Sequence, residues 1–185
     1  MTQLGPAHSR RLFSNSGTSP SDLAELLQWM MVSELLVRSD RVWIIAPTVD
    51  NVPLLDNQTG TFDAFDPGWG RRQVRLMDLA TRMAAEGTQV VVAAPYTESN
   101  AAFFKELRAA AADSGLEENL LVGTRPYISS SGILTRHGLV RGALELGMQG
   151  VRQIDDVVTF ETRPDDLDRL RSQFDANLPM EEGHG

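Results

Sequence analysis

Two short apolar runs, each closed by a proline, constrain this chain more than any other feature. They are Val42-Trp43-Ile44-Ile45-Ala46 before Pro47, and Gln89-Val90-Val91-Val92-Ala93-Ala94 before Pro95. A run without polar alternation suits a strand buried on both faces. Proline, which has no N–H for a ladder, ends it. Asn119-Leu120-Leu121-Val122-Gly123 is a third such run, followed by Arg125-Pro126. Helical spacing fills the gaps. Arg71 to Glu86 carries Val74, Met77, Leu79, Met83 and Ala84 with Gly87 as its stop, and Ser99 to Ser114 carries Ala102, Phe103, Leu107 and Ala110 with Gly115 as its stop. Strand and helix in alternation predict right-handed crossovers and parallel pairing.

Upstream, Ser19-Pro20-Ser21-Asp22 opens a further helix that runs to Arg38, with a core stripe from Leu23 to Leu35. Downstream the rhythm breaks into short strand-like pieces: Ile133-Leu134, Gly138 to Val140, and Ala143 to Gly147. Asp156 to Glu161 alternates like a half-exposed strand, and Pro164-Asp165-Asp166 starts a last helix with Leu167, Leu170 and Phe174. The expectation is one α/β domain over residues 20–178, with a mixed, mainly parallel sheet flanked by helices. A flexible tail at 1–19 precedes it and an acidic tail at 179–185 follows.

Composition narrows the chemistry. Hydrophobic residues make up 42% of the 185, enough for a packed core. No apolar run reaches the roughly 18–20 residues of a membrane span, so no membrane partner is expected. No apolar segment follows "HSRRLF", a poor secretory signal, and the expected compartment is the cytoplasm. With zero cysteines there is no disulfide, zinc–thiolate site, iron–sulfur ligation or cysteine nucleophile. A net charge of -8 disfavours a wholly basic nucleic-acid-binding surface but leaves room for a local basic patch. Lys105 is the single lysine beside 16 arginines, so a catalytic lysine is Lys105 or none.

The segment Thr48 to Gly70 reads as a long loop at the carboxyl end of the first strand, where α/β ligand sites lie. Leu54, Leu55, Phe62, Phe65 and Trp69 make an interface or cover loop the alternative. Its Asp50, Asp56, Asp63 and Asp66 match no metal-binding loop in spacing, and solvated carboxylates are the commoner case. No cofactor and no metal are expected. Phosphate-binding glycine loops, HExxH and the GxSxG elbow are absent. The histidines are His8, His137 and His184, the outer two in the expected tails.

From Ile133-Leu134-Thr135-Arg136-His137-Gly138-Leu139-Val140, through Leu144 to Gly147, to Asp155-Asp156-Val157-Val158-Thr159-Phe160, the order of pieces resembles the second part of a phospholipase D-like domain. There a strand–turn–strand carries H-x-K-G-[LIV], and a later strand ends in G-S-x-N. The resemblance spans roughly Val42 to Phe160. Its upstream half, with "WIIAP", "WGRR" and "GTQVVVAAP", is similar to small phospholipase D-like proteins of bacterial anti-phage gene clusters. Family members use a histidine nucleophile and a phosphate-holding lysine. With Gly138 set on the family glycine, Thr135 occupies the histidine slot and His137 the lysine slot. The acidic position falls on Gly142, and G-S-x-N is reduced to Gly147-Met148-Gln149. The resemblance thus implies an inherited scaffold without the standard reaction. It also implies a homodimer with the degenerate clefts near its two-fold axis.

Two readings of His137 stand side by side. In one it is a lone histidine in a vestigial cleft. In the other it is a shifted nucleophile, with Arg136 or Arg141 holding phosphate. Arg71, Arg72 and Arg75, with Arg125, Arg136 and Arg141, form either a phosphate or nucleic-acid patch or ordinary surface arginines paired with Asp63, Asp66, Asp78 and Glu86. Three functions follow. The first is a pseudoenzyme acting by protein–protein interaction, a scaffold or sensor among the subunits of an antiviral defence complex, with DNA-binding as an added property. The second is an active phosphodiesterase or nuclease using His137. The third is a nucleotide or small-ligand sensor at the carboxyl edge of the parallel strands.

Overall fold

The structure, a computed structural model, describes residues 9–13, 20–124, 128, 131–142, 144–147, 150–153 and 157–176. Its elements in chain order are β1 (Ser9–Phe13), α1 (Pro20–Leu36), β2 (Arg41–Ile45), β3 (Pro53–Asp56), β4 (Gln73–Arg75), α2 (Leu76–Ala85), β5 (Gln89–Ala94) and α3 (Glu98–Ser114). There follow β6 (Leu120–Thr124), β7 (Gly132–Leu134), β8 (Leu139–Arg141), β9 (Leu144–Gly147), β10 (Gly150–Gln153), β11 (Val157–Glu161) and α4 (Pro164–Ala176).

Seven strands form one mixed sheet in the order β1-β11-β8-β7-β2-β5-β6. The three apolar runs become β2, β5 and β6 and pair in parallel, as the crossovers require. The remaining neighbours pair antiparallel, yet five of the seven strands point one way, because only β7 and β11 run against the rest. The two apolar faces of β2 explain the layers. Val42 and Ile44 join the core under α1, α2 and α3, while Trp43 and Ile45 join a second core under α4. Strand alternation sends successive residues to opposite faces, so a strand covered on both sides must be apolar throughout.

Between Thr48 and Gly70 the chain is built rather than loose. Pro53–Asp56 pairs with Gln73–Arg75 in a two-stranded ribbon, and Pro67–Trp69 makes a 3-10 turn capped by Asp66. Asn57, fully buried, ties the connection together through Asp63, the Gly70 carbonyl and the Phe62 N–H. The helix expected from Arg71 therefore starts at Leu76. Residues 73–75 are held in the ribbon, and the Asp78 carboxylate turns back to accept the Arg75 N–H at 2.8 Å. Each loop acid does a local task of this kind: Asp50 accepts from the Asn51 N–H, and Asp56 from the Gln58 N–H.

Besides the two strands of that ribbon, two more lie where the sequence pattern predicts none. Ser9–Phe13, within the expected tail, pairs antiparallel with β11. Gly150–Gln153 pairs with β9. The C-terminal segment 179–185 lies outside the described residues, as do residues 1–8 and 14–19. Among the described residues no helix is long and apolar enough to cross a membrane.

Candidate functional site

The segment Thr135–Gly138 is the tight turn between β7 and β8. The Thr135 N–H donates to the Gly138 carbonyl at 2.9 Å, and Thr135 Oγ1 accepts the N–H groups of His137 and Gly138 at 3.1 and 3.2 Å. Thr135 is fully buried, so it faces no cleft. Gly138 has a steric reason: a Cβ there would meet Cε2 of Phe160, on β11, at 2.6 Å. Arg136 and His137 form the tip.

The tip docks on the turn between α1 and β2. The Arg136 N–H donates to Ser39 Oγ at 2.7 Å, and His137 Nε2 meets the Val37 carbonyl. Ser39 in turn gives its hydroxyl to Glu34 Oε2 at 2.7 Å and its N–H to Oε1. Glu34 is 1% exposed. Burial raises its pKa from the ordinary carboxylate value, against the opposing pull of the Ser39 hydrogen bonds and the charges of His137 and Arg136.

Beside the tip lies a cleft of about 740 Å³. Its walls are the tip, the amino ends of β2 and β5 at Arg41 and Gln89, and α4 at Asp168, Arg171 and Asp175. Arg41 pairs with Asp175 and Arg171 with Asp168, both at 2.6 Å. Arg171 also donates to the Thr135 carbonyl at 3.3 Å. The Arg136 guanidinium forms no ion pair among the described residues. Below, Arg41 stacks 5.4 Å above Trp43, which packs on Phe174. Trp43 Nε1 and Gln89 Oε1 are buried without a partner among the described residues.

This cleft opens at the amino end of the parallel strands, opposite the usual α/β ligand site. Asn100 knits the described part of the carboxyl end together. Fully buried, it accepts the Val49 N–H at 2.9 Å and donates to the carbonyls of Pro47 and Pro95 at 3.0 and 2.8 Å.

The sequence-derived candidates separate in space. Arg136 and His137 share the cleft. Arg141 lines another depression with Thr159, Glu161, Asp166 and Arg169. Arg71, Arg72 and Arg75 lie along the β3–β4 ribbon and hold it together. Arg71 donates to the Thr59 carbonyl at 3.1 Å, Arg75 to the Asn51 carbonyl at 2.6 Å, and Arg72 makes two bonds to Asp78 at 2.7 and 2.9 Å. Arg125, Met148 and Gln149 lie outside the described residues. Sequence reasoning missed Ser39, Arg41 and Arg171. Arg41 reads as the polar lead of a strand and Arg171 as one charge on a solvated helix, so neither carried a signal.

No family model matches this chain, and no curated protein does. Among solved structures it is similar to TrmBL2, an archaeal chromatin protein with a novel mode of DNA binding, at 7% identity and a TM-score of 0.47. That match covers 91% of this chain and 51% of TrmBL2, so the chain spans about half of that protein's length. It is also similar to Nuc from Salmonella typhimurium, a phospholipase D family member, at 10% identity, a TM-score of 0.43 and 91% coverage of each chain. Likenesses this loose assign nothing to this chain, whose fold stands on its own strand order.

Proposed function

We propose that this protein is a phospholipase D-like subunit that no longer hydrolyses phosphodiesters. It works through its surfaces, as a scaffold or sensor within a bacterial anti-phage defence complex. The observation that carries this reading is the fate of the two motif slots. Thr135 is buried in the β-turn, and the imidazole of His137 is engaged through Nε2 with the Val37 carbonyl. A carbonyl only accepts, so Nε2 holds a proton there and has no lone pair to attack phosphorus. The charge pattern supports the same reading. A phosphoryl-transfer site needs unspent cations at the reacting group, whereas Arg41 and Arg171 are each matched by an aspartate.

On this reading the subunit is a homodimer, its compartment is the cytoplasm, and nucleic acid is a secondary partner. The competing reading, a phosphodiesterase built on His137, has one observation in its favour: His137 lines the same cleft as Arg136, whose guanidinium has no ion pair among the described residues.

The test is hydrolysis by the full chain and by His137→Ala of bis(p-nitrophenyl) phosphate and of single- and double-stranded DNA, with and without divalent cations. No turnover by either protein is expected. Turnover that disappears in His137→Ala would establish the enzyme instead. Retained anti-phage protection by the His137→Ala gene in its native cluster is the matching cellular outcome.

A further inference from the structure

Glu34 is a buried ionisable group near the end of α1 that the proposed role leaves without a task. Both of its carboxyl oxygens are used. Oε1 accepts the Ser39 N–H, and Oε2 is bonded to the Ser39 hydroxyl at 2.7 Å. Ser39 Oγ in turn accepts the Arg136 N–H at 2.7 Å. A short chain of hydrogen bonds thus runs from α1 to the tip between β7 and β8. The same tip is anchored a second time by His137 on the Val37 carbonyl.

The polarity of this chain depends on one proton. An amide N–H only donates, so Oε1 is an acceptor in either charge state. A proton taken from solvent therefore goes to Oε2. With Glu34 ionised, the Ser39 hydroxyl donates to Oε2, and that charge-assisted bond polarises Oγ as an acceptor for Arg136. With Glu34 protonated, Oε2 carries the hydrogen and donates to Oγ. The serine hydrogen then loses its acceptor, and it makes no other donated bond among the described residues.

The charges around Glu34 act in the same sense. On the tip side Arg136 and His137 both favour the ionised carboxyl. On the α2 side Arg38, Arg82 and Glu86 border the same depression as Glu34, but Glu86 pairs with both arginines. The attraction that appears when Glu34 ionises is therefore directed at the tip.

We propose that Glu34 is a proton-operated latch: ionised, it holds the β7–β8 tip on the end of α1, and on protonation it loosens the tip and with it one wall of the cleft. The proton is thereby the ligand that this site senses. This deepens the sensor reading and rests on it for its purpose.

Two-dimensional NMR of the full chain between pH 4 and 9 reads both ends of the latch. The Arg136 amide is expected to shift with the same midpoint as the Glu34 carboxyl carbon. Its hydrogen-exchange protection, corrected for the intrinsic rate, is expected to fall about threefold or more below that midpoint. In Glu34→Gln the side-chain amide donates to Oγ as the protonated acid does, so the step is expected to vanish and the low protection to hold at every pH. Arg136→Gln, at an exposed position, keeps the N–H and removes the charge, and by linkage the Glu34 midpoint is expected to rise. His137→Gln removes the titration of the imidazole and is expected to keep the Glu34-linked step.

An Arg136 amide indifferent to the Glu34 midpoint, a step that survives in Glu34→Gln or disappears in His137→Gln, or a Glu34 midpoint unmoved in Arg136→Gln would overturn the proposal. If Glu34→Gln does not fold, the Arg136→Gln comparison still decides. Hydrolysis of phosphodiesters by the parent chain would overturn the non-catalytic reading and leave these shifts as they are, so the two failures are distinguishable.

Discussion

Ser39 gives both its hydroxyl and its main-chain N–H to the carboxylate of Glu34, and the pair sits buried beneath the tip that carries His137. Burial outweighs those bonds and raises the carboxyl above its ordinary 4.5. The native state therefore binds a proton that the unfolded chain has already released, and stability falls as pH rises from about 4.5 through the native value. Urea unfolding between pH 4 and 8 is expected to show this slope in the parent and lose it in Glu34→Gln. A slope that persists in the variant would place its origin elsewhere. Glu34→Ala is expected to cost about 1–3 kcal/mol, because both Ser39 donors lose their acceptor.

Asp78 behaves in the opposite sense. Burial works to raise its carboxyl, but the Arg72 guanidinium and the Arg75 N–H more than compensate and hold it below its ordinary 3.8. Its contribution is in place above that value and is lost as pH falls through the lowered native one. Arg72 is nearly half exposed, so solvent screens the pair, and Arg72→Ala is expected to cost less than about 1 kcal/mol. The acid limb of the stability curve should shift upward in that variant. An unchanged limb would mean the pair contributes nothing.

Asn100 carries the junction between the ends of β2 and β5. Asn100→Ala leaves the buried Val49 N–H without its acceptor and two proline carbonyls without their donor. The expected cost is about 2–3 kcal/mol, read as a lower urea midpoint. Asn100→Asp keeps an acceptor but points a charge at both carbonyls. Its loss should be largest at neutral pH and shrink on acidification, when the protonated carboxyl can donate again. Equal losses at pH 4 and pH 8 would refute this.

Gly138 and Phe160 form a matched pair. Gly138→Ala drives a methyl into the ring, with an expected cost of about 1–3 kcal/mol. Phe160→Leu alone is also destabilising, but in the double variant it should recover part of the alanine penalty. Strict additivity in that cycle would show that the ring is not what excludes a side chain at position 138.

The distribution of what was readable follows from the range of the forces. β2, β5 and β6 were legible because a strand covered on both faces must be continuously apolar, and that demand is written in consecutive residues. The helix stops at Gly87 and Gly115 were legible for a similar reason, since both adopt positive φ that glycine takes without strain. The opposite holds for the ribbon at 53–75. Its strands are three and four residues long, and their pairing depends on Asn57 and Asp78 turning back on the chain.

The candidate site was legible only in name. His137 and Arg136 were singled out from the motif order, and the structure sets both in one cleft. Ser39 and Arg41 enter that cleft from the junction of α1 and β2 and Arg171 from α4, and Arg141, a near neighbour in sequence, lines another depression. The sequence by itself determined that this chain folds as strands and helices in alternation around an apolar sheet, because short-range apolar continuity dictates burial. Only the tertiary structure decided that the β7–β8 turn docks on the end of α1 and buries Thr135. That choice depends on hydrogen bonds between groups nearly a hundred residues apart, which no local pattern encodes.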